Sequence, residues 1–355
     1  MTSTLPLSLR TTGITLGFGA LGAGVAWLVS APVYMLIGPA VAVFAASLAG
    51  VKTDIAPGFR DLNFIVLGLA VGAGFNDDAL AAMIRWPFAI AAMAVAMWAS
   101  LLASRAVLVR AFHFAPRTAL LAAAPGHLSF VLSMGAEMGK DLPRIAITQS
   151  VRLLSLTVAV PFIALALGVN VGGSVVPQGV LMTPVHLVIL AVAGLGLGLL
   201  FRRLSVPAPL LMGPMVLSAV AHLTGLAPGV LPDWLVLPAY LVLGSLIGAR
   251  FSGTSLAELR LGLASGLTVT GIAVLICALA AAPFAWALEM PLAHVLMAFA
   301  PGGLETMIAM GVVLGVVPGF VAACHIARLG VLTLLLPVML AQSAKAESKV
   351  RAGPL

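Results

Sequence analysis

The fold is decided by two stretches that align without a gap at an offset of 176 residues, PGHLSFVLSMGAEMGKDLPRIAITQSVR at 125–152 and PGGLETMIAMGVVLGVVPGFVAACHIAR at 301–328. Eight of the 28 aligned positions are identical, including a Pro-Gly pair at the start and an arginine at the end. Proline lacks an amide hydrogen and glycine is a poor helix former, so both interrupt helices. Each stretch therefore predicts a broken helix followed by a helix that carries an arginine.

The duplication extends beyond these stretches. Upstream, Gly38-Pro39 matches Gly213-Pro214 at an offset of 175. We therefore divide the chain into a first repeat at 1–175, a second repeat at 176–342 and a basic tail at 343–355.

The composition is that of a membrane protein. Of the 355 residues, 62% are apolar and only 8% are charged, against roughly 25% charged in an average soluble domain. The net charge is +7, but the charges are sparse and spread along the chain, so they form no basic face for a nucleic acid. We expect the lipid bilayer as a partner and no direct contact with nucleic acid.

Ten apolar runs are long enough to cross a hydrocarbon core of about 30 Å as helices. They lie at 11–29, 32–50, 61–76, 85–105, 143–169, 184–201, 207–226, 234–249, 261–284 and 317–341. Two further apolar segments, 118–139 and 292–315, contain the Pro-Gly breaks.

The first run could be mistaken for a secretory signal peptide. Its repeat partner at 184–201 is equally rich in glycine and lies in mid-chain, where a signal peptide does not occur. We therefore expect 11–29 to be a membrane span, with glycines in both runs that permit close helix packing.

The distribution of Lys and Arg separates two topologies, because cytoplasmic loops are enriched in these residues. If both broken segments turn back within the membrane, 15 of these residues fall on one side and only Arg85 on the other. If both segments cross, giving twelve spans in parallel halves, the split is 9 to 7. The fifteen residues are Arg10, Lys52, Arg60, Arg105, Arg110, Arg117, Lys140, Arg144, Arg202, Arg203, Arg250, Arg260, Lys345, Lys349 and Arg351.

The first topology is the better explanation of this distribution. We therefore predict an all-α polytopic membrane protein of two inverted repeats, each with five transmembrane helices and one broken re-entrant segment. The repeats are inverted because five crossings in the first repeat reverse the orientation of the second repeat in the membrane. Ten crossings in total place both termini on the same side, which is the cytoplasmic side.

Irregular backbone at membrane depth is tolerated only where protein buries it or where it lines a water-filled cavity. In secondary transporters, interrupted segments of two inverted halves meet near the midplane and present helix N-termini to anions. A packing kink without a ligand is the alternative. The candidate site residues at the two breaks are Pro125, Gly126, His127, Pro301, Gly302 and Gly303.

Arg152 and Arg328 lie about 15 Å into the spans that follow the breaks. An arginine near the midplane normally faces a cavity or a partner, so we expect both to line one shared cavity with the breaks. Gln149 and His325 each precede an arginine by three residues and lie on the same helix face. An arginine beside a neutral donor suits an anion; a structural clamp onto hairpin carbonyls or a carboxylate is the alternative.

Three further residues complete the candidate substrate site. Glu305, whose repeat partner is Ser129, is the only acid in the second broken segment, and Thr306 follows it. Glu305 either neutralises Arg328 structurally or serves as a proton or cation site.

No sequence pattern indicates an enzyme. The chain has no GxSxG, Walker A or GxGxxG context, no histidine pair with metal-ligand spacing, and two isolated cysteines, Cys277 and Cys324. We therefore expect no catalytic residues, no metal site and no cofactor.

The paired motifs, Pro-Gly with a downstream Gln-x-x-Arg in the first repeat and Pro-Gly-Gly with His-x-x-Arg in the second, resemble the bacterial AbrB membrane-protein duplication family. The likeness covers nearly the whole chain, and His127 departs from it where the second repeat has a glycine. The resemblance implies a multi-pass protein of the bacterial inner membrane linked to regulation of gene expression.

Two functions follow as hypotheses. The first is a secondary transporter or exporter of a small anionic organic solute, in which a hairpin-bearing core moves against a scaffold. The second is an integral membrane regulator that affects gene expression indirectly. The sequence leaves the solute, the coupling ion and a homo-oligomeric state open.

Overall fold

In a computed structural model, residues 5–75, 86–125, 128–139, 141–169 and 179–352 are described, and they are helical with short connections. The helices of the first repeat are α1 (Leu5–Leu28), α2 (Tyr34–Leu48), α3 (Pro57–Gly72), α4 (Trp86–Ala111), α5 (Pro116–Ala123), α6 (Leu128–Glu137) and α7 (Leu142–Ala166). Those of the second are α8 (Pro184–Arg203), α9 (Pro209–Leu223), α10 (Asp233–Ala249), α11 (Leu256–Ala287), α12 (Leu292–Phe299), α13 (Leu304–Val313) and α14 (Pro318–Ala352).

The fold is that of a helical membrane protein. Six of these helices are long and apolar enough to cross a membrane: α1, α4, α7, α8, α11 and α14. The other predicted spans coincide with the shorter helices α2, α3, α9 and α10, of 15 to 17 residues. Helix α14 continues to Ala352, so much of the segment assigned to a basic tail is helical.

Helices α2 and α9 are shorter than predicted because both begin after a proline and a residue in the left-handed region. Val33 follows Pro32 with a φ of 49°, and Ala208 follows Pro207 with a φ of 45°. A β-branched residue such as valine seldom adopts this conformation, and the two positions are equivalent in the repeats. The chain therefore turns sharply before the second helix of each half.

Both predicted breaks are present. Helix α5 ends before Ala124, whose ψ is 121°, and α12 ends before Ala300, whose ψ is 133°. The helices that precede the breaks are buried in protein: in α5, the side chains from 118 to 123 are all buried. The irregular backbone thus lies where its polar groups are shielded from lipid.

Each broken segment turns back on itself after the break. A Cβ built on Gly311 in α13 would lie 3.7 Å from the Sδ of Met297 in α12, and one built on Gly135 in α6 would lie 3.7 Å from a Cδ1 of Leu121 in α5. Fourteen residues separate the members of each pair, which in a continuous helix is about 21 Å. We call α5 with α6 the first hairpin and α12 with α13 the second hairpin.

The helices pack as two groups. The scaffold consists of α1, α2, α3, α8, α9 and α10, in which α1 packs on α2, α8 on α9, α2 on α10 and α3 on α9. The hairpin bundle consists of α4 to α7 and α11 to α14, in which α7 and α4 both pack on α11 and α14 packs on both helices of the second hairpin. Few elements join the groups, chiefly α2, α3 and α10 against α7, α13 and α14.

Glycines allow the closest contacts inside the scaffold. A Cβ on Gly22 in α1 would collide with the carbonyl oxygen of Gly38 in α2, and one on Gly213 in α9 would collide with the backbone of Gly198 in α8. These two crossings are equivalent in the two repeats. The expectation that glycines in the first helix of each repeat permit close packing is confirmed at Gly22 and Gly198, whereas Gly24 and Gly196 face open space.

Candidate functional site

Arg152, in the middle of α7, is fixed to the first hairpin. Its side chain is buried, and its two terminal nitrogens donate hydrogen bonds to the carbonyl oxygens of Ala123 and Ala124 at 3.1 and 2.8 Å. These carbonyls belong to the end of α5, where helix carbonyls lack intrahelical partners and the dipole is negative. The arginine therefore satisfies the broken end of the helix.

Arg328, in α14, does the same for the second hairpin. Its terminal nitrogens donate to the carbonyl oxygens of Ala300 and Gly302 at 2.5 and 2.6 Å, and its side chain is 1% exposed. Ala300 is the repeat counterpart of Ala124, so one bond of each arginine is equivalent in the two repeats. The second bonds differ, because Arg152 reaches Ala123 before the break and Arg328 reaches Gly302 after it. Of the alternatives that the sequence left open, the observed contacts are those of a clamp onto hairpin carbonyls.

The residues one turn before the arginines differ in their contacts. Gln149 donates through Nε2 to the carbonyl oxygen of Leu121 at 2.9 Å, which adds a third bond between α7 and the first hairpin. His325 is fully buried, and its Nδ1 lies 2.9 Å from the carbonyl oxygen of Val321 in its own helix. His325 Nε2 has no partner among the described residues.

A cavity of about 540 Å³ lies between the scaffold and the hairpin bundle. It brings together seven of the predicted site residues: Gln149, Arg152, Pro301, Gly302, Gly303, Glu305 and Thr306. Arg328 and His325 are not among the residues that line it, since they lie behind the tip of the second hairpin. Of the two arginines expected to share a cavity, Arg152 alone is in its lining.

Part of the first hairpin cannot be compared with the prediction. Pro125 is buried and does not line the cavity, although Leu128 at the start of α6 does. Gly126, His127 and the side chain of Ser129 lie outside the described residues.

Three charged residues of the scaffold also line the cavity: Asp54, Arg60 and Arg250. Arg60 forms an ion pair with Asp61 at 3.0 Å. Arg250 directly follows α10, is exposed and lines the cavity, and its guanidinium has no hydrogen bond or ion pair with the described residues. In the sequence, Arg60 and Arg250 contributed only to the prediction of the topology. Each lies at the end of a short apolar run, and that position was the signal that could have indicated a role in the site.

The first turn of α13 faces the cavity without a cap. Gly303 is its N-cap residue and offers no side-chain acceptor, so the amide hydrogens of the first turn lack the partners that a capping side chain would give. Thr306 is 3% exposed, lines the cavity, and its hydroxyl has no hydrogen bond to the described part of the chain. Such an end is favourable for negative charge.

Glu305 is the acidic group of this turn. Its side chain is half-buried, and a Cβ on Gly303 would lie 4.0 Å from its Oε2. It interacts electrostatically with Arg250 but forms no ion pair with it or with Arg328 within 4.0 Å. Within the described ranges no group of three His, Cys, Asp or Glu residues could hold a metal ion.

Comparison with known proteins gives one family and two relatives. A model of the family described as "Transition state regulatory protein AbrB" matches residues 35–343. The chain is 24% identical over 285 residues to "Putative regulator AbrB" of Escherichia coli (strain K12), covering 78% of this chain and 80% of that protein. It is also 24% identical over 345 residues to "Uncharacterized protein YhjN" of Bacillus subtilis (strain 168), covering 93% of this chain and 88% of that protein.

Proposed function

The chain belongs to the AbrB family, and on that premise we propose that it is a secondary transporter or exporter of a small anionic organic solute. The observation that carries the proposal is the cavity between scaffold and hairpin bundle, lined by the broken tip at Pro301–Thr306 and by Arg152 and Arg250. Its volume is within the range of small-molecule sites. Helix N-termini and arginines are the groups that bind carboxylates and phosphates.

The two-group packing supports a transport mechanism. The cavity wall is contributed by both groups, while most helix contacts are made within each group. A movement of one group against the other would therefore change access to the cavity and would break few contacts. Secondary transporters work by such rigid-body movement around a fixed site.

Inverted repeats are part of the proposal. Gly68 and Gly72 in α3 approach Leu211 and Met215 in α9, so these two helices run parallel. The end of α2 bonds to the chain just before α3, through Ser47 and Thr53. Helix α2 thus ends near the start of α3, the helix that is parallel to α9. This placement supports the proposal that α2 and α9 are antiparallel, as inverted copies would be.

We propose that the part of the cavity lined by Arg60 and Arg250 faces the cytoplasm, because cytoplasmic loops are enriched in Lys and Arg. We propose a bacterial inner membrane location with both termini cytoplasmic, a function without catalysis or cofactor, and no direct partner among nucleic acids. Assembly into a homo-oligomer is compatible with this arrangement.

The experiment is a measurement of thermal unfolding of the purified protein in detergent with benzoate, succinate, benzenesulfonate or inorganic phosphate, and with neutral benzamide. A ligand that binds only the folded protein raises its stability, by about 2.7 kcal/mol at a hundredfold excess over Kd. We expect at least one anion to stabilise the protein and benzamide to have no effect.

A cavity-filling variant provides the control. Ala249→Trp, in the cavity lining, should abolish the response, whereas Val192→Trp, on the outer face of α8 where valine is 67% exposed, should retain it. No response to any anion, or an unchanged response in Ala249→Trp, would contradict the proposal.

A second function is favoured by the name of one relative, "Putative regulator AbrB" of Escherichia coli. A polytopic membrane protein would affect transcription most simply by changing the concentration of a metabolite. Expression of the Ala249→Trp variant in a strain that lacks this protein distinguishes regulation through transport from regulation without transport. If transcript levels recover with the filled cavity, regulation does not require transport.

A further inference from the structure

Among the described residues that line the cavity, Arg250 and Glu305 have charged side chains without a hydrogen bond or ion pair. Arg152 donates both terminal nitrogens to hairpin carbonyls, and Arg60 is paired with Asp61. Arg250 and Glu305 both line the cavity and interact electrostatically without forming an ion pair. The space between them is therefore bounded by one guanidinium and one carboxylate that can each interact with a ligand.

The first turn of α13 adds neutral donors to the same space. Its amide hydrogens lack a capping side chain, and the hydroxyl of Thr306, a residue that is 3% exposed, has no partner among the described residues. Because Thr306 lines the cavity, its hydroxyl can hydrogen-bond to a ligand or to water there. A carboxylate, sulfonate or phosphate oxygen fits this set of donors.

Glu305 is the group that opposes such a ligand. The charged groups on the elements around it are Arg60 on α3, Arg152 on α7, Arg250 after α10 and Arg328 on α14, with Asp54 before α3 as the second acid. His294, on α12, does not line this cavity. The four arginines attract an anion, whereas an ionised Glu305 in the first turn of α13 repels it at short range.

We propose that the anion binds between Arg250 and the first turn of α13, and that one proton from water is taken up on the Glu305 carboxylate when it binds. The inference rests on the proposed function and adds a coupling ion to it. In the empty protein the Glu305 carboxylate itself lies at the helix N-terminus and near Arg250. The incoming anion replaces that negative charge, and protonation removes the repulsion between them.

The test uses the full-length protein in detergent and the same four anions, with Kd measured between about pH 5 and about pH 8. Benzenesulfonate stays ionised throughout, so proton uptake with this probe belongs to the protein. We expect its Kd to rise with pH, by up to about tenfold per pH unit, because binding with uptake of one proton becomes weaker as protons become scarcer. Calorimetry in two buffers of different ionisation enthalpy should report uptake of one proton.

Two variants locate the effect. Glu305→Gln should bind with a Kd independent of pH and close to that of the natural protein at low pH, and Arg250→Gln should weaken binding at least tenfold. Glu137→Gln, on the exposed end of the first hairpin, is the matched control and should keep the natural pH dependence.

The outcomes are distinguishable. Binding without proton uptake, or unchanged pH dependence in Glu305→Gln, overturns the coupling and leaves the transporter proposal intact. An unchanged affinity of Arg250→Gln for the anions overturns the proposed binding site between Arg250 and α13. Absence of binding for all four anions overturns both proposals, and if Glu305→Gln does not fold, the two-buffer measurement on the natural protein decides.

Discussion

At the scale of single residues, Arg152 and Arg328 explain how a broken helix can be buried in a membrane protein. Each arginine presents two parallel donors to carbonyls that have lost their helical partners. The fork of a guanidinium suits two adjacent acceptors, whereas the ammonium of lysine is a single point of charge. The bond from each arginine to the equivalent carbonyl, that of Ala124 or Ala300, recurs in both halves and indicates that this part of the clamp belongs to the shared fold.

We therefore predict that Arg328→Lys destabilises the folded protein by about 1–3 kcal/mol, because one buried carbonyl is left without a donor. Thermal unfolding in detergent measures the loss, and Arg202→Lys on the exposed end of α8 should leave stability unchanged. The coupling of Arg328 to Glu305 in a double-mutant cycle should stay below about 0.5 kcal/mol. Strong coupling would instead indicate a structural pair between the two.

The sequence predicted which residues lie near the breaks but not what they contact. Proline, glycine and a downstream arginine in each repeat were sufficient to predict the interruptions and the buried arginines. Whether those arginines meet carbonyls, carboxylates or a cavity depends on how the hairpin folds back, which is a tertiary property. Arg250 was missed for the same reason, since the end of α10 meets the second hairpin only in the folded chain.

At the scale of helices, glycine determines where the scaffold packs closely. Gly22 and Gly24 are two residues apart in α1, but a Cβ on Gly22 would collide with Gly38, whereas one on Gly24 would meet open space. Gly22→Ala should therefore lower the unfolding temperature. Gly24→Ala should leave it unchanged or raise it, because alanine is the better helix former by about 1 kcal/mol. Equal effects of the two changes would show that this crossing is not packed closely.

The hairpins make a prediction about topology. In a variant without Cys277 and Cys324, single cysteines at Ala115 and Asp141, on either side of the first hairpin, should react with an impermeant thiol reagent from the same side of the membrane. A cysteine at Pro291, before the second hairpin, should react from the opposite side. Reaction of Ala115→Cys and Asp141→Cys from opposite sides would mean that the segment crosses the membrane.

At the scale of the whole molecule, the proposed transport requires the scaffold and the hairpin bundle to move against each other. A Cβ on Gly74, after α3 of the scaffold, would lie 2.9 Å from the Cγ of Pro318 at the start of α14, so cysteines at these positions are within reach of a disulfide. The matched pair inside the hairpin bundle is Ile147 and Gly262, where a Cβ on the glycine would lie 3.1 Å from the Cβ of the isoleucine.

The most direct test is transport of a stabilising anion into proteoliposomes before and after oxidation of these two cysteine pairs, in a background without Cys277 and Cys324. We predict that oxidation of Gly74→Cys/Pro318→Cys stops transport, that a reductant restores it, and that oxidation of Ile147→Cys/Gly262→Cys has no effect. Unimpeded transport through the Gly74–Pro318 cross-link, or no transport by the uncross-linked protein, would contradict the account.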